Sequence, residues 1–209
     1  MTDEDPEERA MTRMPELATE RLTIRPFVAD DLDAIYRILD GELAEADFGS
    51  EGAKALDDRR QWLEWTTMNY EQLARLYQPH YGDRAIVLKS SGELIGAVGF
   101  VPSFGPFGQL PSRQSSGAAP GRGFTPEFGP YYVVSPARQR KGYAVEAAWA
   151  MIDYAFTALD LQRIVATTTY NNVASIGVMR KLGMRVEKNP LTEPAWFQVV
   201  GILDNKGDH

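Results

Sequence analysis

Arg138, Arg140 and Lys141 fall within four residues beside Gly142, in a chain whose formal net charge is −7. Around them, Val133-Val-Ser-Pro-Ala-Arg-Gln-Arg-Lys-Gly-Tyr-Ala-Val-Glu146 reads as the end of a strand, a basic loop and the start of a long helix. The first N–H groups of a helix have no internal acceptor and carry the positive end of its dipole, so such a junction can hold a phosphate. Gly142 permits close backbone approach. The glycine spacing and Lys-Ser/Thr pair of a Walker A loop are missing, as is the G-x-G-x-x-G of a Rossmann turn. Taken alone, a basic run is more often a solvated turn.

Other polar residues stand where elements begin. Asn171 or Asn172 can cap a candidate helix, with Ser175 in its first turn. Glu127 begins a strand-like run to Val134, where a carboxylate can pair with a neighbouring strand. Glu146, near the helix start, suits the dipole. With no cysteine, and with His80 and His209 as the two histidines, neither a disulfide framework, a Cys or His metal cluster nor a Ser-His-Asp triad can be assembled. No metal is expected.

The elements that must position these residues form a mixed pattern. At 209 residues, 44% apolar and 24% charged, the chain fits one domain with a substantial core. No stretch approaches the roughly 18 apolar residues of a membrane span, and the acidic balance argues against nucleic acid as a partner. Met1 to Pro15 lacks an apolar leader segment, so the expectation is a cytoplasmic protein.

Residues 1–14 read as a flexible tail, and 15–209 as one domain. Arg21 to Phe27 alternates as a strand, and Asp30 or Asp31 can cap a helix through Leu39. Asp57 to Tyr77 allows one or two helices whose phase slips near Asn69. Arg84 to Lys89 and Leu94 to Phe100 read as a hairpin with Gly92 in its turn. The Gly/Pro/Ser-rich stretch 102–126 reads as a loop without packed elements, either a surface insertion or a lid built on Phe104, Phe107 and Phe124. Gly129-Pro130 predicts a distorted strand. Ala144 to Leu159 is the strongest helix, Ile164 to Thr169 a strand, Asn172 to Leu182 a helix, and Trp196 to Leu203 a closing strand.

Gln139-Arg-Lys-Gly-Tyr-Ala144 has the form Q/R-x-x-G-x-G/A, Asn172-Val-Ala-Ser175 the form N-x-x-S/A, and Lys181-Leu-Gly-Met184 the form K-L-G-F/M. In this order the motifs resemble the GNAT acetyltransferase superfamily. Thr19-Glu-Arg-Leu-Thr-Ile-Arg-Pro-Phe27 and Gly92-Glu-Leu-Ile-Gly-Ala-Val-Gly-Phe100 are similar to the branch that includes ribosomal-protein N-terminal acetyltransferases. The likeness covers roughly Leu17 to Leu203.

The resemblance implies an α/β (α+β) fold with a mostly antiparallel sheet flanked by helices, splayed at the strands beginning at Glu127 and near Ile164 to admit CoA. It implies transfer of an acetyl group from acetyl-CoA to a primary amine, a protein N-terminus or a small molecule. The amides of Arg140, Gly142, Tyr143 and Ala144 would bind the pyrophosphate, Gln139 would shape the loop, and Arg138, Arg140 and Lys141 would add charge. Asn172 would meet the pantetheine arm, with Ser175 assisting. Glu127 resembles the family's general base. Met179 occupies the position where many members carry an acidic tyrosine, which leaves Tyr131, Tyr132 or Tyr143 as substitutes. A non-catalytic acyl-CoA-binding module is the alternative, an interaction protein a more distant one, and a homodimer is compatible with either enzyme or module.

Overall fold

The computed structural model describes residues 14–44, 52–78, 81–113 and 124–206. The expected tail up to residue 13, His80, His209 and the middle of the 102–126 loop lie outside them. The chain divides into two compact units, one running to Phe100 with Tyr131–Asp160, the other Val101–Pro130 with the residues from Leu161.

In the first unit, β1 (Leu17–Ala18) and β2 (Leu22–Arg25) pair antiparallel. The alternation in Leu22-Thr-Ile-Arg25 puts Leu22 and Ile24 on one fully buried face. Asp31 does more than start the next helix. Its carboxylate accepts the Val28 N–H at 2.9 Å and the Arg25 guanidinium at 2.7 and 2.8 Å. A short turn, Ala29–Asp31, therefore precedes α1 (Leu32–Tyr36). The chain does not continue as α-helix through Leu39 as the spacing predicts. It widens into a π-turn over Arg37–Glu42, closed by the Leu43 N–H on the Ile38 carbonyl at 3.0 Å. Such i→i+5 turns are frequent at functional sites.

The stretch with the slipped phase is a single helix, α2 (Leu56–Arg75). The slip lets Asn69 turn aside and donate to the Tyr81 carbonyl at 3.3 Å. Next, β3 (Gly82–Leu88) and β4 (Leu94–Gly105) form the expected hairpin, and Gly92 takes φ +70° in its turn. The sheet order is β1-β2-β3-β4-β5, with β5 spanning Thr125–Val134. Phe27, Ile35, Ile38, Leu63, Ala97 and Val133 form its core, and Trp62 meets Phe27 edge-on at 5.5 Å. Helix α3 (Tyr143–Thr157) buries Ala147, Ala148, Met151, Ile152 and Ala155, the face its periodicity predicts. Arg84 on β3 is buried too; its guanidinium donates to the Pro15 carbonyl at 2.7 Å and the Met14 carbonyl at 3.4 Å.

The second unit holds β6 (Arg163–Thr168), α4 (Val173–Lys181), β7 (Arg185–Lys188) and β8 (Val199–Asp204). Its three strands follow the antiparallel order β6-β8-β7. The stretch 102–126 is more structured at its ends than its composition predicts. β4 runs on to Gly105, β5 begins at Thr125, and Phe107–Gln109 and Pro111–Arg113 are helical turns. Phe107 and Leu110 are buried with Val165, Phe197, Val200 and Ile202, and Phe107 meets Phe197 edge-on at 5.1 Å. Burying such a side chain is worth roughly 1.5–3 kcal/mol, enough to offset the roughly 1–2 kcal/mol of ordering its backbone. Phe107 is therefore a core anchor, while Phe104 and Phe124 are exposed. The architecture is the mixed α/β fold with an antiparallel sheet and flanking helices that the sequence predicts.

Candidate active site

The basic loop begins where β5 ends. The Ser135 N–H donates to the Ile95 carbonyl at 2.8 Å, and the Ser135 hydroxyl donates to the Glu42 carboxylate. After a turn at Pro136–Arg138, the Gln139 side chain reaches back and donates to the Val134 carbonyl at 2.9 Å. Arg140 and Gly142 both adopt left-handed backbone, φ +60° and +86°, and Gly142 caps α3. Successive N–H groups in such a turn form an anion-binding concavity. Among the described residues, no backbone N–H from Arg140 to Val145 has an acceptor, and the first helical bond is Glu146 N–H to Gly142 O at 3.0 Å. The Arg140 and Lys141 side chains are exposed at this concavity, whereas Arg138 pairs with Glu93 and adds little net charge.

Two residues that sequence spacing could not reveal hold the loop. Arg21 donates through Nε to Glu146 at 2.7 Å, through Nη1 to the Lys141 carbonyl at 3.0 Å, and lies 4.5 Å from the Tyr143 ring centroid. Thr19 donates its hydroxyl to Glu146 at 2.5 Å, and the Arg21 N–H does so at 2.9 Å. Burial works to raise the Glu146 pKa, but these hydrogen bonds outweigh it and hold the carboxyl below its ordinary range. Glu146 lies in the first turn of α3, as a dipole partner would, and also ties the bend ahead of β2 to the loop through Thr19 and Arg21.

A second cluster in the first unit surrounds Asp83, a residue the sequence reading passed over. Leu39, Leu43, Arg59, Trp62, Asp83 and Tyr131 line a pocket of about 450 Å³. Arg59 is committed to Asp40 at 2.7 and 2.8 Å and lies 4.9 Å from the Trp62 ring centroid. Burial pushes the Asp83 carboxyl up to about 6, opposed by Arg59. Burial, aided by the Asp83 charge, raises the Tyr131 phenol as well. Tyr132, the neighbouring candidate on β5, is half-buried.

The second unit holds the remaining candidates. Asn172 caps α4, its Oδ1 accepting the Ser175 N–H at 3.0 Å, so capping is realised and Nδ2 is left over. Met179 is fully buried, and a Cβ on Gly201 would lie 3.2 Å from its sulfur. It fills core space and supplies no acid. Glu127 accepts Arg163 Nε at 2.9 and 2.8 Å and also pairs with Nη2, and this bond raises the Arg163 pKa. Of its two readings, the contacts made are those of strand pairing. A Cβ on Gly129 would lie 2.2 Å from the Val165 carbonyl oxygen, so β5 passes β6 there at a distance only glycine allows. The two strands nevertheless belong to different sheets.

Residues 21–185 match the acetyltransferase (GNAT) domain. The chain belongs to the GNAT acetyltransferase family. Like that family's members, this GNAT protein is an acetyl-CoA-dependent acetyltransferase. It is 31% identical over 180 residues to the uncharacterized N-acetyltransferase YnaD of Bacillus subtilis (strain 168), covering 82% of this chain and 83% of the relative. It is 30% identical over 131 residues to spermidine N(1)-acetyltransferase of Escherichia coli (strain K12), covering 61% of each. A putative ribosomal-protein-serine acetyltransferase from Vibrio cholerae shares the fold with a TM-score of 0.64 at 18% identity, over 93% of this GNAT chain and 99% of the other. Among the described residues, no helix is long and apolar enough to cross a membrane.

Proposed function

We propose that this enzyme transfers the acetyl group of acetyl-CoA directly to a primary amine, with no metal involved. The observation that carries the reading is the run of unengaged N–H groups from Arg140 to Val145, shaped by left-handed Arg140 and Gly142. That concavity fits a diphosphate: the amides of Arg140, Gly142, Tyr143 and Ala144 hold its oxygens, Arg140 and Lys141 add charge, and Gln139 fixes the loop. The leftover Nδ2 of Asn172 is the donor assigned to the pantetheine arm, with Ser175 beside it on the same helix.

Acetyl-CoA supplies an activated thioester acyl group. The chain's own residues must free the amine of a proton, since α-amino and lysine-type amines titrate near 8 and about 10.4 and are cationic at neutral pH. The Arg163 pairing of Glu127 favours a strand-linking role for that carboxylate over the base role the family resemblance offers. Tyr132 on β5 is the proposed proton donor to the leaving sulfur. A primary amine as acceptor agrees with the names of the relatives, one acting on spermidine and one on a ribosomal protein.

The test is a thermal shift with acetyl-CoA, with NAD and ATP as controls, on the wild type and on Gly142→Glu. At 100 times its dissociation constant a native-state ligand stabilises by about 2.7 kcal/mol, or several degrees in a chain of this size. A selective rise that the variant loses supports the donor site; no rise at millimolar acetyl-CoA overturns it.

A further inference from the structure

We propose that the pocket lined by Leu39, Leu43, Trp62 and Tyr131 receives the acceptor amine, and that the Asp83 carboxylate takes its proton. The inference rests on the acetyl-transfer reading above and adds to it the acceptor site and the base.

Asp83 is the half-buried carboxylate of the pocket, whereas Asp58 on the same wall is exposed. Its backbone carbonyl accepts the Tyr70 hydroxyl, but its carboxylate accepts no hydrogen bond among the described residues. The guanidinium that would satisfy it, Arg59, is bound through Nε and Nη2 to the buried Asp40. A half-buried carboxylate left without a donor is destabilising, and such groups collect where a ligand will complete them. The missing donor is a cation with N–H groups.

Among the described residues, the other charged and titratable groups lining the pocket are Lys54 ahead of α2, Asp58 and Arg59 on α2, and Tyr131 on β5, while Asp40 on the π-turn holds Arg59 and Tyr70 on α2 lies against Asp83 from behind the wall. With Arg59 cancelled by Asp40, the lining charges among the described residues are Asp58 and Asp83 against Lys54, an excess of one negative charge. Leu39, Leu43 and Trp62 make the remaining wall apolar. An ammonium on an apolar stem matches both features, whereas an anion or a neutral polar ligand matches neither. The π-turn shapes this wall, because it ends at Leu43 and turns Leu39 and Leu43 to the same cavity. The pocket is also linked along the chain to the proposed donor site. β5 carries Tyr131 in the pocket wall and, after Val134, becomes the loop braced by Gln139.

The chemistry balances without a further reactant. The amine enters as an ammonium and gives one proton to Asp83, which leaves a lone pair on nitrogen. The C–N bond forms as the thioester C–S bond breaks, with the electron pair passing to sulfur. The second nitrogen proton leaves with the thiolate, giving amide and thiol, and Asp83 returns its proton to water. A carboxyl raised to about 6 is a better match for this task than one at its ordinary value.

The full chain, labelled with ¹³C in its aspartate carboxyls, is titrated by NMR as wild type and as Asp83→Asn. Spermidine and a short peptide with N-terminal serine serve as probes, and each form is also given acetyl-CoA in the thermal shift and in turnover. We expect one aspartate titrating near pH 6 that the variant removes, and a shift of that titration to lower pH when a probe places its ammonium beside it. We expect kcat/KM to fall by about 10²- to 10⁴-fold in Asp83→Asn, with the acetyl-CoA shift unchanged. Response to spermidine alone identifies a small-amine acceptor, and response to the peptide alone a protein N-terminus. An intact acetyl-CoA shift with an Asp83 titration that neither probe moves, or a variant that keeps wild-type kcat/KM, overturns the assignment of Asp83 and leaves the donor site standing. No acetyl-CoA shift in the wild type overturns the donor site, and this inference with it.

Discussion

Arg21 and Glu146, 125 residues apart in sequence, form a salt bridge with Nη2 at 2.5 Å from Oε2, and the same guanidinium holds the Lys141 carbonyl and covers Tyr143. A residue of the bend just ahead of β2 thereby fixes the conformation of a loop whose amides must all face one way. Replacing Arg21 with Ala removes the three contacts together. The expected outcome is acetyl-CoA binding weakened by about tenfold, roughly 1.4 kcal/mol, with a smaller loss of thermal stability. Isothermal titration calorimetry measures the first and differential scanning fluorimetry the second.

Gly129→Ala places a methyl 2.2 Å from a carbonyl oxygen of β6, a backbone atom that cannot swing aside. Overpacking of this kind costs about 1–3 kcal/mol, so urea denaturation is expected to show a midpoint well below wild type. Gly177→Ala is the control. Nothing lies within 4 Å of a Cβ there, and the position is helical, so that change is expected to be neutral or to stabilise by up to ~1 kcal/mol.

Asp83 also predicts a pH dependence of stability. Its pKa is raised from 3.8 to about 6 on folding, so the folded chain holds that proton more tightly than the unfolded chain. Its contribution is most favourable below about pH 4, and stability falls as pH rises through 6. A shift of this size corresponds to at most ~3 kcal/mol. Asp83→Asn is therefore expected to melt several degrees above wild type at pH 7.5 and to lose that advantage at pH 4, read by fluorimetry across buffers. A variant less stable than wild type at both values would mean that the carboxylate has a structural partner.

Glu127→Gln separates two roles by stability and rate. If Glu127 links strands, the variant loses about 1–3 kcal/mol from the pair with Arg163, and kcat measured well below its melting point changes less than tenfold. A general base in that position would give a loss of about 10²-fold or more with little change in melting.

The sequence made legible those features that depend on local order. The face of α3, the hairpin turning at Gly92 and the capping of α4 by Asn172 follow from spacing and turn chemistry within a few residues. The loop at Gln139–Ala144 was legible as a motif, and its left-handed Arg140 only as backbone. What stayed hidden depends on contacts between distant segments. Arg21 reads as an ordinary strand residue, and nothing in its neighbours points to Glu146. Asp83 beside Arg84 reads as a routine charge at a strand start; only folding pairs Arg59 with Asp40 and leaves Asp83 unanswered. Phe107 reads as a loop residue because its core partners lie far along the chain, at Val165, Phe197, Val200 and Ile202.

The carbonyls of Met14 and Pro15 are acceptors for the buried guanidinium of Arg84, whose Nε has no partner among the described residues. A cut after Pro15, by a protease or an internal translation start, would withdraw both acceptors and strand a cation in the interior, at a cost of several kcal/mol. The shortest product expected to survive limited proteolysis therefore begins no later than Met14. Met14 and Pro15 thereby act as a clasp on Arg84, and the persistence of N-terminally cut fragments is expected to depend on it.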